Sequence, residues 1–452
     1  MTHYIKFIGI IILAALLSSC TEFLEKKSDK QLAVPYTLQD FQALMDDGSY
    51  IGTKTATEGE MSADDYYLSE NDLGQMLDSD RGIYNWAYYV AHDDRSFTGW
   101  QHAYREIYYC NLVIEGITDM TEKEKTSARG KDILGQAFLN RAAAMLHVAE
   151  IWTIGYDPGQ LDSPYGLPLR RSTNFNEKSV RSTVGETYTL IEEDLLRAKE
   201  LLPVEVISKY RPSRAAGYGF LARFNLFINK YNKAKIYADS AIMLHGGGLL
   251  DYATLDKEAR YTMPIPENNP EVIFYRSLAS SPVLDQSRAK MAKDLLDLYE
   301  PNDTRRELFF LENPDGSERF RAGYRGSSAM FSGIALDEMY LIKMEGLIRE
   351  GKEEEALGLL KEYLPTKYGV DFDELQMKGD LLDFVLKERR RQLTMRGIRW
   401  SDIKRLNREG HGISLQRKEG ATTDVLPSND LRFALPVPQQ VLDLTGIQPN
   451  PR

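Results

Sequence analysis

Residues 214–245 read RAAGYGFLARFNLFINKYNKAKIYADSAIMLH. Ala216, Phe220, Phe224 and Phe227 recur every three or four positions, the spacing that gathers side chains on one face of a helix. Asn229-Lys230 interrupts the pattern, and Ala234, Ala238 and Ala241 then mark a second helix. Alanines on the returning helix let two antiparallel backbones approach closely, so the stretch predicts a helical hairpin. Residues 335–364, ALDEMYLIKMEGLIREGKEEEALGLLKEYL, repeat the plan. Leu336, Tyr340, Met344 and Leu347 form the first stripe, Gly351-Lys352 the break, and Ala356, Leu359 and Leu360 the return.

Two such hairpins resemble tetratricopeptide-type packing, here irregular and separated by long insertions. Further helices surround them. Thr37 with Asp40 forms an acid-terminated capping box ahead of Leu38, Phe41, Leu44 and Met45, and Thr98 with Gln101 is read as the cap of a helix carrying Trp100, Tyr104, Ile107, Tyr108, Asn111 and Leu112. A third helix runs from about Ile133 to Trp152; Thr183 and Glu186 box a fourth, which Pro203 ends. The glycines at 246–248 fit a left-handed helix end better than a phosphate cradle. The expected fold is mainly α, with a helical scaffold over about 98–245 and 335–410. Loop-rich insertions fill about 46–97 and 246–334, with a few short strands such as EVIFYRS at 271–277. Long irregular segments on a rigid scaffold are where binding surfaces concentrate.

The amino end predicts export. Lys6 precedes an apolar run from Phe7 to Leu17, too short to span a bilayer, and Leu17-Ser18-Ser19-Cys20 has the shape of a bacterial lipobox. A signal anchor or a plain secretory signal are the alternatives. On the lipobox reading, residues 1–19 are a lipoprotein signal peptide, Cys20 is lipidated, 20–35 are a polar tether and 36–452 a single domain; two or more acyl chains anchor firmly where one does not. Cys110 then has no intrachain disulfide partner and reads as a small buried hydrophobe. The net charge of −11 argues against nucleic acid as a ligand.

Chemistry-bearing motifs are scarce. The six histidines are scattered, no Cys/His cluster supports zinc, and phosphate-binding loops, nucleophile elbows and dinucleotide fingerprints are absent. No catalytic residue, resident metal or cofactor is expected. The acidic first insertion leaves calcium open, without EF-hand spacing. Asp64, Asp65, Asp93 and Asp94 could supply the paired carboxylates of a glycosidase, whose separation a sequence cannot show. The most basic stretch, LKERRRQLTMRGIRWSDIKRL at 386–406, reads as a helix with Leu386 and Leu393 inward and charges outward, stopped by Gly397, its arginines pairing with acids and backbone carbonyls.

In order along the chain, these pieces resemble the SusD/RagB family of outer-membrane nutrient-uptake lipoproteins. The resemblance rests on the lipobox with CTEFLEKKSD, on WQHAYREIYYCNLVIEGI with Trp100, Tyr104, Ile107 and Asn111, and on GQAFLNRAAAMLHVAEIW with the YGLPL turn at Gly166 and Pro168. It continues in Glu388, Arg389, Arg390, Leu393, Gly397, Arg399, Trp400, Asp402 and Arg405, and ends in LRFALPVPQQVLDLTGIQPNP. Gln392 departs from the family's usual Glu and weakens one possible ion pair; Pro449 interrupts the closing Gln-Asn-Pro. The resemblance implies a non-enzymatic, lipid-anchored protein on the outer face of the outer membrane. Its implied partners are a TonB-dependent transporter and an oligosaccharide, or a peptide in some members.

A sugar presents an apolar C–H face and a fringe of hydroxyls, so its site wants aromatic platforms beside polar groups. Trp100, Trp152 and Trp400 read as packing. Expected ligand contacts are Trp86 with Arg81 and Tyr84, Tyr66 and Tyr67 beside Asp65, and Tyr324 with Arg325; Tyr88, Tyr89 and Phe320 lie close in sequence. The favoured function is oligosaccharide capture for a partner transporter. The alternatives are peptide capture, a lipid-anchored glycoside hydrolase, or a purely structural adaptor.

Overall fold

The computed structural model describes residues 35–88, 90, 98–370 and 380–452. Cys20, the tether, Tyr89, Asp93 and Asp94 lie outside the described residues. Among the described residues no helix is long and apolar enough to cross a membrane.

The scaffold is a row of helices: α1 (Leu38–Met45), α2 (Thr98–Thr118), α3 (Ala128–Trp152), α4 (Val184–Leu201), α5 (Arg214–Phe227), α6 (Tyr231–His245), α7 (Leu336–Arg349), α8 (Glu353–Tyr368), α9 (Leu381–Gln392) and α10 (Arg399–Arg408). From α2 to α8 each helix packs on the next, and α9 also lies on α7. The hairpins α5–α6 and α7–α8 therefore stack through α6 and α7, despite the insertion that separates them in sequence. In α6 the fully buried residues are Ala234, Ala238 and Ala241, the small contacts that close approach requires. The two hairpin turns have one geometry. Asn229 (φ 58) and Gly351 (φ 75) are both left-handed. The next amide in each turn donates back across it, Lys230 to the Asn225 carbonyl at 2.8 Å and Lys352 to that of Leu347 at 2.9 Å.

The capping boxes at Thr37–Asp40 and Thr183–Glu186 are formed. Thr98 is the first described residue of α2. Helix α3 begins a turn before the expected Ile133, because Ser127 caps it by accepting from the Gly130 amide. Gly246 ends α6 at φ 64.

The largest correction concerns 386–406, whose charges point inward. Arg389, Arg391, Arg396, Lys404 and Arg405 are buried, while Leu386 is only half-buried. Acids from distant segments meet them. Arg405 bonds both oxygens of Glu345 at 2.7 and 2.9 Å and Asp402 at 2.7 Å; Arg396 reaches Asp337 at 2.6 Å; Arg305 and Arg391 converge on Glu388. Lys404 donates to the carbonyls of Glu150 and Thr153, both at 2.6 Å. A helical charge pattern with so many arginines reads as solvated until the acids brought by other helices are known; buried ions persist only when paired. Gln392 replaces a possible ion pair with hydrogen bonds from a neutral side chain. Its amide nitrogen donates to Asp337 at 2.9 Å and Tyr252 at 2.7 Å, while its oxygen accepts from Arg305 at 3.0 Å. A glutamate there would face Asp337 carboxylate to carboxylate.

Among the described residues, eight short strands form four antiparallel pairs. They are β1 (Tyr66–Tyr67) with β3 (Lys290–Met291), β2 (Val272–Phe274) with β6 (Ile334–Ala335), β4 (Phe310–Glu312) with β5 (Glu318–Phe320), and β7 (Leu415–Glu419) with β8 (Thr422–Leu426). The first pair joins the two insertions, and β3 also touches β5. One hydrophobic cluster takes in Met61, Leu73 and Ile83 of the first insertion, Phe138 and Leu146 of α3, and Phe274 and Phe309 of the second.

Candidate functional site

The first insertion is a packed layer rather than an open loop, and this decides the fate of the predicted contacts. Trp86 is 1% exposed; its indole Nε1 donates to the Ser62 carbonyl at 2.9 Å. Arg417 from β7 lies against three rings, 4.1 Å from the Tyr84 centroid, 5.0 Å from Tyr66 and 5.4 Å from Trp86, and donates to the carbonyls of Tyr66 and Ala63. Tyr66, Tyr84 and Trp86 thus clasp a buried cation instead of standing open as platforms. Asp65 is buried against Arg390 at 2.8 Å. Tyr324 is buried with its hydroxyl on Asp337 at 2.8 Å, and Phe320 is buried as well. Each correction has one cause: the insertions carry enough apolar surface to join the core, and the aromatics go there first.

Tyr67, Arg81 and Arg325 remain accessible. Their surroundings differ. Arg81 pairs with Asp78 at 2.7 Å on the rim of a cleft of about 480 Å³ between residues 78–88 and the β7–β8 hairpin. Trp86 is the floor of that cleft, and Tyr88, 65% exposed, is its open ring, with the Arg432 guanidinium 5.0 Å from its centroid. Asn85 donates to Glu419 at 2.8 Å and Arg432 to Asp430 at 2.9 Å. Arg325 lies 5.9 Å from the Tyr275 centroid on another face.

A larger cleft, about 690 Å³, opens wholly within the second insertion. Its walls are the β4–β5 hairpin with Asn313 and Arg319, the turn Ser280–Ser287, and Ser327–Met330; Arg260 and Tyr261 complete the rim. Leu278 and Met330 form an apolar floor held by their own backbone bond at 2.9 Å. Under that floor Gly397 (φ 74) passes so close that a Cβ there would lie 2.9 Å from the Leu278 side chain. Among the described residues, the side chains of Ser280, Gln286 and Ser328 have no hydrogen-bonding partner. The cleft therefore offers free hydroxyls and an amide, one half-buried tyrosine and two guanidinium groups. Such a set can hold a hydroxyl-rich ligand against a small apolar base. Its one carboxylate among the described residues, Asp285, accepts from its own turn, the Ser287 amide at 2.9 Å and hydroxyl at 2.5 Å, which holds its carboxyl below the usual range. Tyr67 stands beside this region, since its β-pair partner Lys290 reaches Asp315 in the β4–β5 turn.

The glycosidase carboxylates fare differently from what the acidic run promised. Asp64 is bidentate to Arg399 at 2.7 and 2.8 Å, and the nearby arginines hold its carboxyl well below the ordinary range. Asp64 and Asp65 are ion-pair partners of the basic signature. No cluster of His, Cys, Asp and Glu among the described residues is arranged to hold a metal.

Residues 22–226 match the family model SusD-like_3, described as starch-binding associating with outer membrane. The chain is 24% identical over 435 residues to SusD-like protein P38 of Formosa agariphila, covering 79% of this chain and 80% of that protein. The chain is thus similar in sequence to SusD-like proteins. The fold agrees: a SusD superfamily protein from Bacteroides fragilis superposes with a TM-score of 0.72 at 20% identity, covering 92% of this chain and 99% of that one. A laminarin-binding SusD-like protein gives 0.62 at 18% identity, with coverages of 91% and 97%.

In this SusD-like chain the early helix motif has a physical role. The Tyr104 hydroxyl donates to the Pro168 carbonyl at 2.9 Å and the Asn111 amide to that of Arg170 at 3.0 Å, so the motif on α2 pins the YGLPL turn. The closing segment is pinned as well: the Asn450 amide donates to the carbonyls of Trp152 at 2.9 Å and Leu435 at 2.6 Å. The lining of the 690 Å³ cleft was missed in the sequence. Its serines, Gln286 and Arg319 come from segments without periodicity; the only local signal was turn-rich polar composition.

Proposed function

We propose that this SusD-like protein is a cell-surface lipoprotein, anchored through Cys20, that captures nutrient oligosaccharides and delivers them to a TonB-dependent outer-membrane transporter. The observation that carries the binding reading is the 690 Å³ cleft, where unengaged hydroxyl and amide groups surround an apolar floor and a tyrosine rim. The family description and the laminarin-binding neighbour support glycan as the ligand class. Anchoring, surface exposure and the transporter partner rest on the lipobox and on the family. Tyr67 stands next to the cleft, while Arg81 and Tyr88 belong to the smaller one, which we assign as a secondary contact.

The ligand is held and passed on, without bond cleavage. A glycosidase needs two carboxylates flanking a sugar bond, about 5–9 Å apart. The large cleft has one, already committed to its own turn, and Asp64 and Asp65 are locked by arginines.

The test uses protein lacking residues 1–20, titrated calorimetrically against a glycan panel. Saturable binding of an oligosaccharide without release of shorter products is expected, with Tyr261→Ala and Gln286→Ala each weakening it about tenfold, the worth of one good contact. Binding confined to peptides would move the reading to peptide capture; products released without added enzyme would move it to hydrolysis. For the anchor, incorporation of labelled fatty acid is expected in the full chain and lost in Cys20→Ala.

A further inference from the structure

The charges of the large cleft do not close. Where the basic signature meets the core, arginine after arginine finds a carboxylate: Arg390 has Asp65, Arg396 has Asp337, Arg399 has Asp64 and Arg405 has Glu345. The two arginines of the cleft do not. Arg319 donates to the neutral Asn313 side chain, and Arg260 lies over the Tyr261 ring, its carbon 5.3 Å from the centroid. Glu318, next to Arg319, is taken by Arg306. Asp285 takes the Ser287 amide and hydroxyl, both neutral donors, on one oxygen, Oδ1, and among the described residues no guanidinium pairs with it. Two cations thus share one concave surface with a single carboxylate, that of Asp285, so the described lining carries an excess positive charge in a chain whose net charge is −11. A cleft with low-dielectric walls concentrates the potential of such groups and draws in counter-charge.

We infer that the oligosaccharide bound in this cleft is acidic, carrying carboxylate or sulfate groups that Arg260 and Arg319 engage while the serine hydroxyls and the Gln286 amide take its neutral hydroxyls. Planar guanidinium groups suit both anions, which accept two parallel hydrogen bonds. The inference rests on the glycan reading above and narrows it. Part of the attraction is exposed to solvent, so it weakens as salt rises.

The experiment titrates the protein lacking residues 1–20 with three probes of equal length, at low and at high salt. These are an oligogalacturonate, a sulfated chondroitin oligosaccharide and a neutral β-1,3-glucan oligosaccharide. At least one charged probe is expected to bind tenfold or more tightly than the neutral one, with the preference shrinking at high salt. Arg260→Gln and Arg319→Gln should each remove about tenfold of the charged probe's affinity and lower that of the neutral probe by clearly less, so that the charged-over-neutral preference shrinks; unaltered thermal melting would show that the variants fold. A preference for uronate or for sulfate identifies the anion. Equal or tighter binding of the neutral probe, insensitive to salt and to both substitutions, overturns the acidic ligand and leaves glycan capture standing. Failure of all three probes and of the wider glycan panel overturns both.

Discussion

Trp86 occupies the left-handed region at φ 55, unusual for a bulky residue, and holds there because its ring and its N–H are both used inside the layer. Two residues on, Tyr88 has no such duties and stays in water. Gln392 illustrates the same rule with polar groups. Its amide is the donor that lets Asp337 stay ionised beside it, with Arg396 holding that carboxyl below its ordinary range. Gln392→Glu is therefore expected to cost about 2–4 kcal/mol at neutral pH, since two buried carboxylates cannot both ionise at contact. The loss should shrink in mild acid, which urea unfolding at several pH values would reveal. Glu60 predicts a second pH effect. Burial, reinforced by Asp65 and Asp64, pushes its carboxyl up to about 8. Between the ordinary carboxylate range and about pH 8 the folded chain holds a proton that the unfolded chain has released, so this group's contribution falls as pH rises, by about 1.4 kcal/mol per unit. Glu60→Gln should flatten that slope; an unchanged slope would refute the assignment.

The paired helices owe their match to two features, small residues on the return helix and one left-handed residue in the turn. Asn229 and Gly351 fill the same turn position, and a Cβ at Gly351 would meet nothing within 4 Å. Backbone conformation alone therefore limits what residue 351 can be. Gly351→Asn should be nearly neutral, because asparagine tolerates this region, whereas Gly351→Val should cost about 1–2 kcal/mol. Equal melting temperatures for the two variants would contradict this account of the turn. On the opposite hairpin, Ala238→Leu should destabilise by about 1–3 kcal/mol through overpacking between α5 and α6.

Across the molecule, the basic signature is a clasp. It starts in α9, runs through Gly397 into α10, and ties α7 by Arg405–Glu345, the second insertion by Arg305–Glu388 and the first by Arg399–Asp64. Together with the β1–β3 pair it fixes both insertions on one scaffold and underlies the floor of the large cleft. Arg399→Leu would strand much of the Asp64 charge, and a loss of about 3 kcal/mol is expected. Asp64→Leu combined with Arg399→Leu should recover part of it, a non-additivity that a double-mutant cycle measures.

Helices, their hairpin pairing and three of the four tryptophans were legible in the linear order, because periodicity and caps are local properties set within a few residues of one another. The family motifs were legible too, although what they do was not: Tyr104, Asn111 and Asn450 hold backbone carbonyls of segments far away in the chain. The direction of the signature arginines, the burial of Trp86, Tyr66, Tyr84 and Tyr324, and the lining of the cleft emerged only from the packed chain. Each depends on partners brought from elsewhere. An arginine faces inward when an acid waits there, an aromatic ring is buried when a neighbouring layer covers it, and a cleft exists between segments that share no local pattern.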